Sequence, residues 1–242
     1  MTVAVAAEDL TRRYGIGATA VDALRDVSLE VGEAELTAVM GPSGSGKSTL
    51  MHLLAGLDRP TSGNVSVAGE QITSMDDNAL TLLRRRHIGF VFQFFNLLPM
   101  LTAEENIVLP LSVAGRKVDR AWFAELVDKV GLTARLGHRP AELSGGQQQR
   151  VAVARALVSR PTVVFADEPT GNLDTRSSAE ILALVRETCS EYGQTIVMVT
   201  HDARAAAIAD RIVYVLDGQI VVDRRGQTES EVLQTMTGLD VQ

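Results

Sequence analysis

The 242-residue sequence has one cysteine, few aromatic side chains and no long apolar run. With Cys189 alone, no disulfide can form within the chain, which is typical of proteins of the reducing cytosol. Aromatic residues make up 4% of the chain and hydrophobic residues 45%, so we expect a mainly aliphatic core. No window approaches the ~18 apolar residues of a membrane span, and residues 1–8 lack the features of a signal peptide. A role at a membrane would therefore need another chain to supply the span.

Positive charge is also in deficit, because the net charge is −7 and the isoelectric point is about 5.2. Nucleic-acid binding usually needs a basic face, and the only basic cluster, residues 84–87, is short. The four histidines show no metal-ligand spacing. The sequence therefore predicts no nucleic-acid partner and no histidine metal site.

A phosphate-binding loop is the clearest motif that is present. The pattern is a glycine, four free positions and Gly-Lys-Ser, occupied by Gly41, Pro42, Ser43, Gly44, Ser45, Gly46, Lys47 and Ser48. An apolar segment that predicts a strand precedes it, and residues 48–55 predict a helix. Glycines permit positive φ, and the helix N-terminus attracts anions. We expect Lys47 to reach the β- and γ-phosphates of a nucleotide and Ser48 to ligate Mg²⁺.

Three other apolar strands end in polar residues, and parallel strands bring such ends to one crevice. These residues are Gln93, the pair Asp167 and Glu168, and His201. We expect Asp167 to hold Mg²⁺ through its water shell and Glu168 to accept a proton from the attacking water. Gln93 could orient that water or touch Mg²⁺. His201 could bind the γ-phosphate or hold Glu168.

A second glycine-rich helix start follows Leu143 and comprises Ser144, Gly145, Gly146 and Gln147. Such a start is a second anion site, although one chain needs only one for its own nucleotide. A head-to-tail pair of chains explains it, with Ser144 capping the nucleotide of the partner. The alternative is an ordinary serine-capped helix, which would not need two glycines.

The remaining pattern predicts an α/β protein with buried parallel strands, preceded by two antiparallel strands over residues 3–13 and 21–31. We expect the first of these to be an edge strand. Tyr14 could pack in the core or stack on a purine. Residues 94–144 differ in composition and predict a small helical insertion, which begins with an apolar loop over residues 94–101.

Taken together, these motifs resemble the ATP-binding cassette (ABC) ATPases over nearly the whole chain. The resemblance rests on residues 41–49, 143–147, 163–168 and 171–174 together with Gln93 and His201. It implies a phosphate-loop NTPase fold with a mixed core sheet, an antiparallel N-terminal β-subdomain and a helical subdomain. Residues 1–93 and 145–242 would form the core and 94–144 the insertion.

The same resemblance assigns several individual roles. It implies that Tyr14 stacks on adenine, that Thr49 belongs to the phosphate site, that Asp174 contacts the partner across the dimer and that Gln93 links to the helical subdomain. ATP and Mg²⁺ would be bound, and ATP would be hydrolysed.

Finer features resemble the lipoprotein-release, macrolide-export and cell-division subgroup, notably residues 92–99, 105–111 and 168–174. This implies a cytoplasmic homodimer held at the inner face of the membrane by a separate transmembrane permease, which ATP-driven closure would power for export or extraction. The apolar loop would receive a permease helix, or else pack inside the insertion. The alternative function is mechanical signalling or scaffolding without solute transport.

Overall fold

The computed structural model describes residues 2–15 and 17–239 and contains two β-sheets flanked by helices. The strands in this part of the chain are β1 (Val3–Tyr14), β2 (Val21–Gly32), β3 (Leu36–Met40), β4 (Ser62–Val67), β5 (Glu70–Gln71), β6 (Ile88–Val91), β7 (Val163–Asp167), β8 (Thr195–Val199), β9 (Arg211–Leu216) and β10 (Gln219–Arg225). The α-helices are α1 (Lys47–Leu54), α2 (Asp77–His87), α3 (Ala103–Val113), α4 (Arg120–Lys129), α5 (Gly145–Leu157), α6 (Thr175–Tyr192), α7 (Ala203–Ala207) and α8 (Glu229–Leu239). Of the helices described, none is both long and apolar enough to cross a bilayer.

The larger sheet has six strands in the order β10-β9-β3-β8-β7-β6. All neighbours are parallel except β10, which returns antiparallel along β9 after the Asp217-Gly218 turn. The central strands are apolar on both faces because helices or the other sheet cover each face. The prediction of an α/β fold with a mixed core sheet is confirmed.

Two hydrophobic cores lie on opposite faces of this sheet, and alternate residues of one strand enter different cores. In β7, Phe165 belongs to the core shared with β1, β2, β4 and α1, whereas Ala166 belongs to the core shared with α3 to α8. Val197 and Met198 of β8 divide in the same way. This alternation follows from the period of two in a strand.

The smaller sheet is antiparallel, with the order β2-β1-β4-β5. The expectation that the first strand lies at an edge is wrong, since β1 pairs with β2 on one side and with β4 on the other. Alternating burial indicates which face of a strand is covered and says nothing of how many neighbours it has.

Helices α3 and α4 follow β6 and precede α5 in the sequence. A capping box opens α3, in which Thr102 accepts from the Glu105 amide and Glu105 accepts from the Thr102 amide. Trp122 and Phe123 of α4 are buried in the same core as α5 and one face of the large sheet. The two helices therefore share that core.

Gly89 of β6 offers a test of how closely the sheet packs on α5. A methyl group at Gly89 would lie 2.4 Å from the Ala156 carbonyl oxygen. We expect Gly89→Ala to lower the free energy of unfolding by about 1–3 kcal/mol, measured by urea titration. Gly137→Ala is the control, because no described atom lies within 4 Å of its added methyl group. Equal midpoints for the two variants would contradict the packing.

Candidate functional site

The carboxyl ends of four neighbouring parallel strands form the candidate site. The phosphate loop follows β3, Gln93 follows β6, Glu168 follows β7 and His201 follows β8. Because β3, β8, β7 and β6 are consecutive in the sheet, these residues leave it along one edge. The predicted convergence of strand ends is therefore present.

The phosphate loop has the backbone conformation of an anion-binding helix start. Gly41, Gly44 and Gly46 have φ values of 148°, 81° and 105°, which favour glycine. Gly46 is the N-cap of α1 and provides no side-chain cap, so the first amides of the helix have no side-chain acceptor there. This arrangement suits an anion.

Backbone segments from two other parts of the fold hold this loop. A methyl group on Gly46 would lie 2.5 Å from the Ala23 carbonyl oxygen of β2. The Gly218 amide donates to the Ser45 carbonyl oxygen at 2.9 Å, and the Arg25 amide donates to the Gly218 carbonyl oxygen at 2.8 Å. The loop is thus clamped between β2 and the β9–β10 turn with no side chain between the backbones of Ala23 and Gly46.

Lys47 is the buried cation of the loop. Its Nζ donates to the carbonyl oxygens of Gly41 and Pro42 at 2.9 and 2.8 Å. Burial lowers the pKa of Lys47, and the nearby Glu168 and Asp167 partly offset this. A cation that is desolvated and held on carbonyl groups beside an amide-lined loop fits a phosphate ligand.

Glu168 is held in a strained position beside the loop. Its φ is 45°, which is uncommon for a residue with a side chain, and its amide donates to the Val199 carbonyl oxygen at 2.9 Å. His201 Nδ1 lies 2.7 Å from Glu168 Oε1. His201 was expected either to bind the γ-phosphate or to hold Glu168, and in the structure it contacts Glu168. Burial raises the pKa of the neighbouring Asp167, and Glu168 adds to this.

Gln93 packs against the chain that follows Glu168. Its carbonyl oxygen accepts from Asn172 Nδ2 at 2.9 Å, and its side-chain nitrogen lies 2.8 Å from the position that a Gly171 methyl group would take. Asn172 was included in the stretch 171–174 but was assigned no role from the sequence. Sequence reasoning missed Gln149, which is buried and donates to the Pro169 carbonyl oxygen. Only a polar residue on the buried face of α5 could have signalled Gln149.

The second glycine-rich helix start lies at the exposed N-terminus of α5. Ser144 Oγ accepts from the Gln147 amide at 3.3 Å, and Gln147 Oε1 accepts from the Ser144 amide at 3.0 Å. A methyl group on Gly146 would lie 2.9 Å from Ser177 Oγ of α6, so helix packing requires that glycine. A methyl group on Gly145 would lie no closer than 3.5 Å to any described atom. In the described part of the chain, no hydrogen bond or ion pair joins residues 144–147 to residues 41–49.

Asp174 and Tyr14 lie outside this cluster of strand ends. Asp174 is the N-cap of α6, and hydrogen bonds from Ser177 lower its pKa. Tyr14 is 42% exposed, so it is not a core residue. Its hydroxyl donates to Asp58 Oδ2 at 2.7 Å, and the Arg12 guanidinium lies 4.3 Å from the ring centroid.

Residues 24–171, which include the phosphate loop, Gln93, Ser144 and Glu168, match the sequence profile of the ABC transporter family. The chain belongs to the ABC transporter family. It is an ATP-binding cassette with ATPase activity, as its resemblance to that family predicted.

The alignments with known relatives span most of this chain. The chain is 50% identical over 217 residues to the lipoprotein-releasing system ATP-binding protein LolD of Geobacter metallireducens, and the alignment covers 89% of this chain and 96% of that protein. It is 47% identical to the macrolide export ATP-binding/permease protein MacB of Rhodopseudomonas palustris, covering 91% of this chain and 34% of that longer protein. A dimeric ATP-binding cassette solved in a post-hydrolysis state with ADP and Pi is 41% identical, with a TM-score of 0.83 over 93% of this chain and 99% of that one.

The clamp on the phosphate loop predicts a specific effect of Gly218→Ala in the cassette. The added methyl group would lie 2.8 Å from the Ala23 carbonyl oxygen and push the turn away from Ser45. We expect the Kd for ATP, measured by titration calorimetry, to rise about 10-fold.

Gly226→Ala is the matched control for Gly218→Ala. Both glycines have left-handed φ values, 61° and 76°, but a methyl group on Gly226 meets no described atom within 4 Å. It therefore carries the backbone strain without the clash, and its Kd should stay near that of the wild type. Equal Kd values for the two variants would contradict the clamp.

Proposed function

We propose that this cassette hydrolyses ATP with Glu168 as the general base. The oxygen of a water molecule attacks the γ-phosphorus, the bond to the bridging oxygen breaks, the water proton passes to Glu168, and ADP and phosphate result. The observation that carries the proposal is the position of Glu168, held by His201 and the Val199 carbonyl oxygen beside the phosphate loop. The loop, residues 41–49, would hold the phosphates through its amides and Lys47.

Mg²⁺ fits the oxygen donors at this edge of the sheet, namely the Ser48 hydroxyl, the Gln93 side chain and the Asp167 carboxylate. Ser48 is exposed in the first turn of α1 and makes no side-chain hydrogen bond within the described residues. Burial raises the pKa of Asp167, and a bound cation would offset that cost. The ion would neutralise part of the negative charge on the phosphates of the nucleotide.

We infer a head-to-tail dimer in which residues 144–147 of each chain cap the nucleotide held by the other. Ser144 is exposed at a helix N-terminus, and Gly145 leaves space for close approach. Asp174 would contact the partner, and the exposed ring of Tyr14 would stack on adenine. The similar cassette that was solved as a dimer with ADP and Pi supports this arrangement.

The apolar loop, residues 94–101, is proposed as the docking site of a separate transmembrane permease. Phe94 and Met100 are 72% and 82% exposed, which favours docking over packing within residues 94–144. Part of the loop is nonetheless anchored by hydrogen bonds. Arg155 donates to the carbonyl oxygens of Phe95 and Asn96, both of which have left-handed φ values.

On this proposal, residues 94–144 form a helical subdomain that carries the docking loop, and the remaining chain forms the core. A cleft of about 250 Å³ beside the loop, lined in part by Phe90, Phe92 and Pro110, would extend the docking surface. The permease would hold the cassette at the inner face of the membrane. By the names of the LolD and MacB relatives, ATP would drive release or export of a substrate.

Glu168→Gln tests the general base. The amide cannot accept the proton, so we expect turnover to fall by a factor on the order of 10²–10⁴ with ATP binding retained. An ATP-dependent dimer should then accumulate, which size-exclusion chromatography with light scattering would detect. Hydrolysis at the wild-type rate would overturn the assignment of Glu168.

Ser144→Arg tests the role of Ser144 towards the partner's nucleotide. We expect hydrolysis to be abolished while the monomer still binds ATP. Because Ser144 also caps α5, Asp119→Ala is the control, since it removes the cap of α4 away from the strand-end site and should keep its activity. Retained hydrolysis in Ser144→Arg would refute the arrangement.

A further inference from the structure

Gln149 is a buried polar residue that the proposed mechanism does not use. It lies on α5, five residues after Ser144, and is fully buried. Its Nε2 donates to the Pro169 carbonyl oxygen and lies 3.5 Å from the Phe92 carbonyl oxygen, while its Oε1 is buried without a partner among the described residues. Both contacts are with carbonyl oxygens, so this position needs a donor with two protons, as a glutamine amide provides.

The two carbonyl groups belong to the segments that carry the catalytic side chains. Pro169 follows Glu168 directly, and Phe92 precedes Gln93. The left-handed backbone of Glu168 persists only if its surroundings restrain it, and the Pro169 carbonyl is bound one residue away. The Gln149 amide therefore fixes the Glu168 segment relative to helix α5.

The same helix presents Ser144 at its exposed end. The five residues from Ser144 to Gln149 span roughly 7.5 Å along the helix axis. Because this segment is one continuous hydrogen-bonded helix, a displacement of Ser144 would move Gln149 with it. If Ser144 caps the nucleotide of the partner, a displacement of α5 by that nucleotide moves the Gln149 amide and with it the Glu168 segment of the same chain.

We propose that Gln149 is a positioning residue that couples the two nucleotide sites of the dimer. Binding of ATP in one site draws Ser144 and α5 of the other chain, and Gln149 then adjusts the Glu168 of that other chain. The coupling needs two states of α5 and the head-to-tail dimer, so the inference rests on the proposed function.

Gln149→Met removes the amide while retaining side-chain length and apolar packing. We expect kcat to fall on the order of 10- to 100-fold and the Hill coefficient for ATP to fall from above one to one. The Kd of the monomer for ATP, measured in Ser144→Arg and in its double variant with Gln149→Met, should not change. In Gln149→Asn the amide is one methylene too short to reach Pro169, so this variant should show the same kinetics as Gln149→Met. It keeps the proposal testable if the methionine variant misfolds.

Gln148→Met is the matched control. It replaces the same residue type one position earlier, where the amide donates, among the described residues, to the Leu143 carbonyl oxygen alone. It should keep the wild-type kcat and Hill coefficient. Unchanged kinetics in both Gln149 variants would overturn the proposal. So would a lower kcat with an unchanged Hill coefficient, since Gln149 would then act within one site.

The wild-type protein and Glu168→Gln separate this outcome from failure of the proposed dimer. If Glu168→Gln forms no dimer with ATP and wild-type hydrolysis has a Hill coefficient of one, the head-to-tail arrangement is refuted, and the coupling with it. If the dimer forms and the wild type is cooperative, the Gln149 variants alone decide the proposal.

Discussion

The phosphate loop depends on close approach of backbone to backbone. Gly46 lies under the Ala23 carbonyl oxygen of β2, and Gly41 lies where a methyl group would meet the Val215 carbonyl oxygen of β9. Between them, the Gly218 amide holds Ser45. The small sheet, the large sheet and the β9–β10 turn thus meet at the loop, and glycine is required there for space as well as for conformation. The phosphate loop is a junction of both sheets.

The parallel register then sets the chemistry around that junction. Because β7 and β8 are neighbours, Glu168 and His201 leave the sheet side by side, and Lys47 faces the same edge from the loop. Two carboxylates and a desolvated ammonium group share a small region. Burial lowers the pKa of Lys47 and raises that of Asp167, so each gains from an added ligand of opposite charge.

Local patterns in the sequence were sufficient for much of this. The phosphate loop and the polar strand ends depend on residues close in sequence, and both are found where predicted. Pairings between distant segments were not predictable. The neighbours of β1, the exposure of Tyr14 and the contact of Gly146 with Ser177 each depend on which remote element packs alongside.

The N-caps of the helices differ in one chemical respect that bears on α5. A carboxylate cap has no proton to donate and adds negative charge to the helix start. Ser144 also accepts from its helix, keeps its hydroxyl proton uncommitted within the described residues and remains neutral. At α5, Ser144 Oγ can therefore cap the helix and also donate a hydrogen bond to an anion from another molecule, which an acidic cap would repel. Acidic caps begin four other helices, with Asp76, Asp119, Asp174 and Asp202.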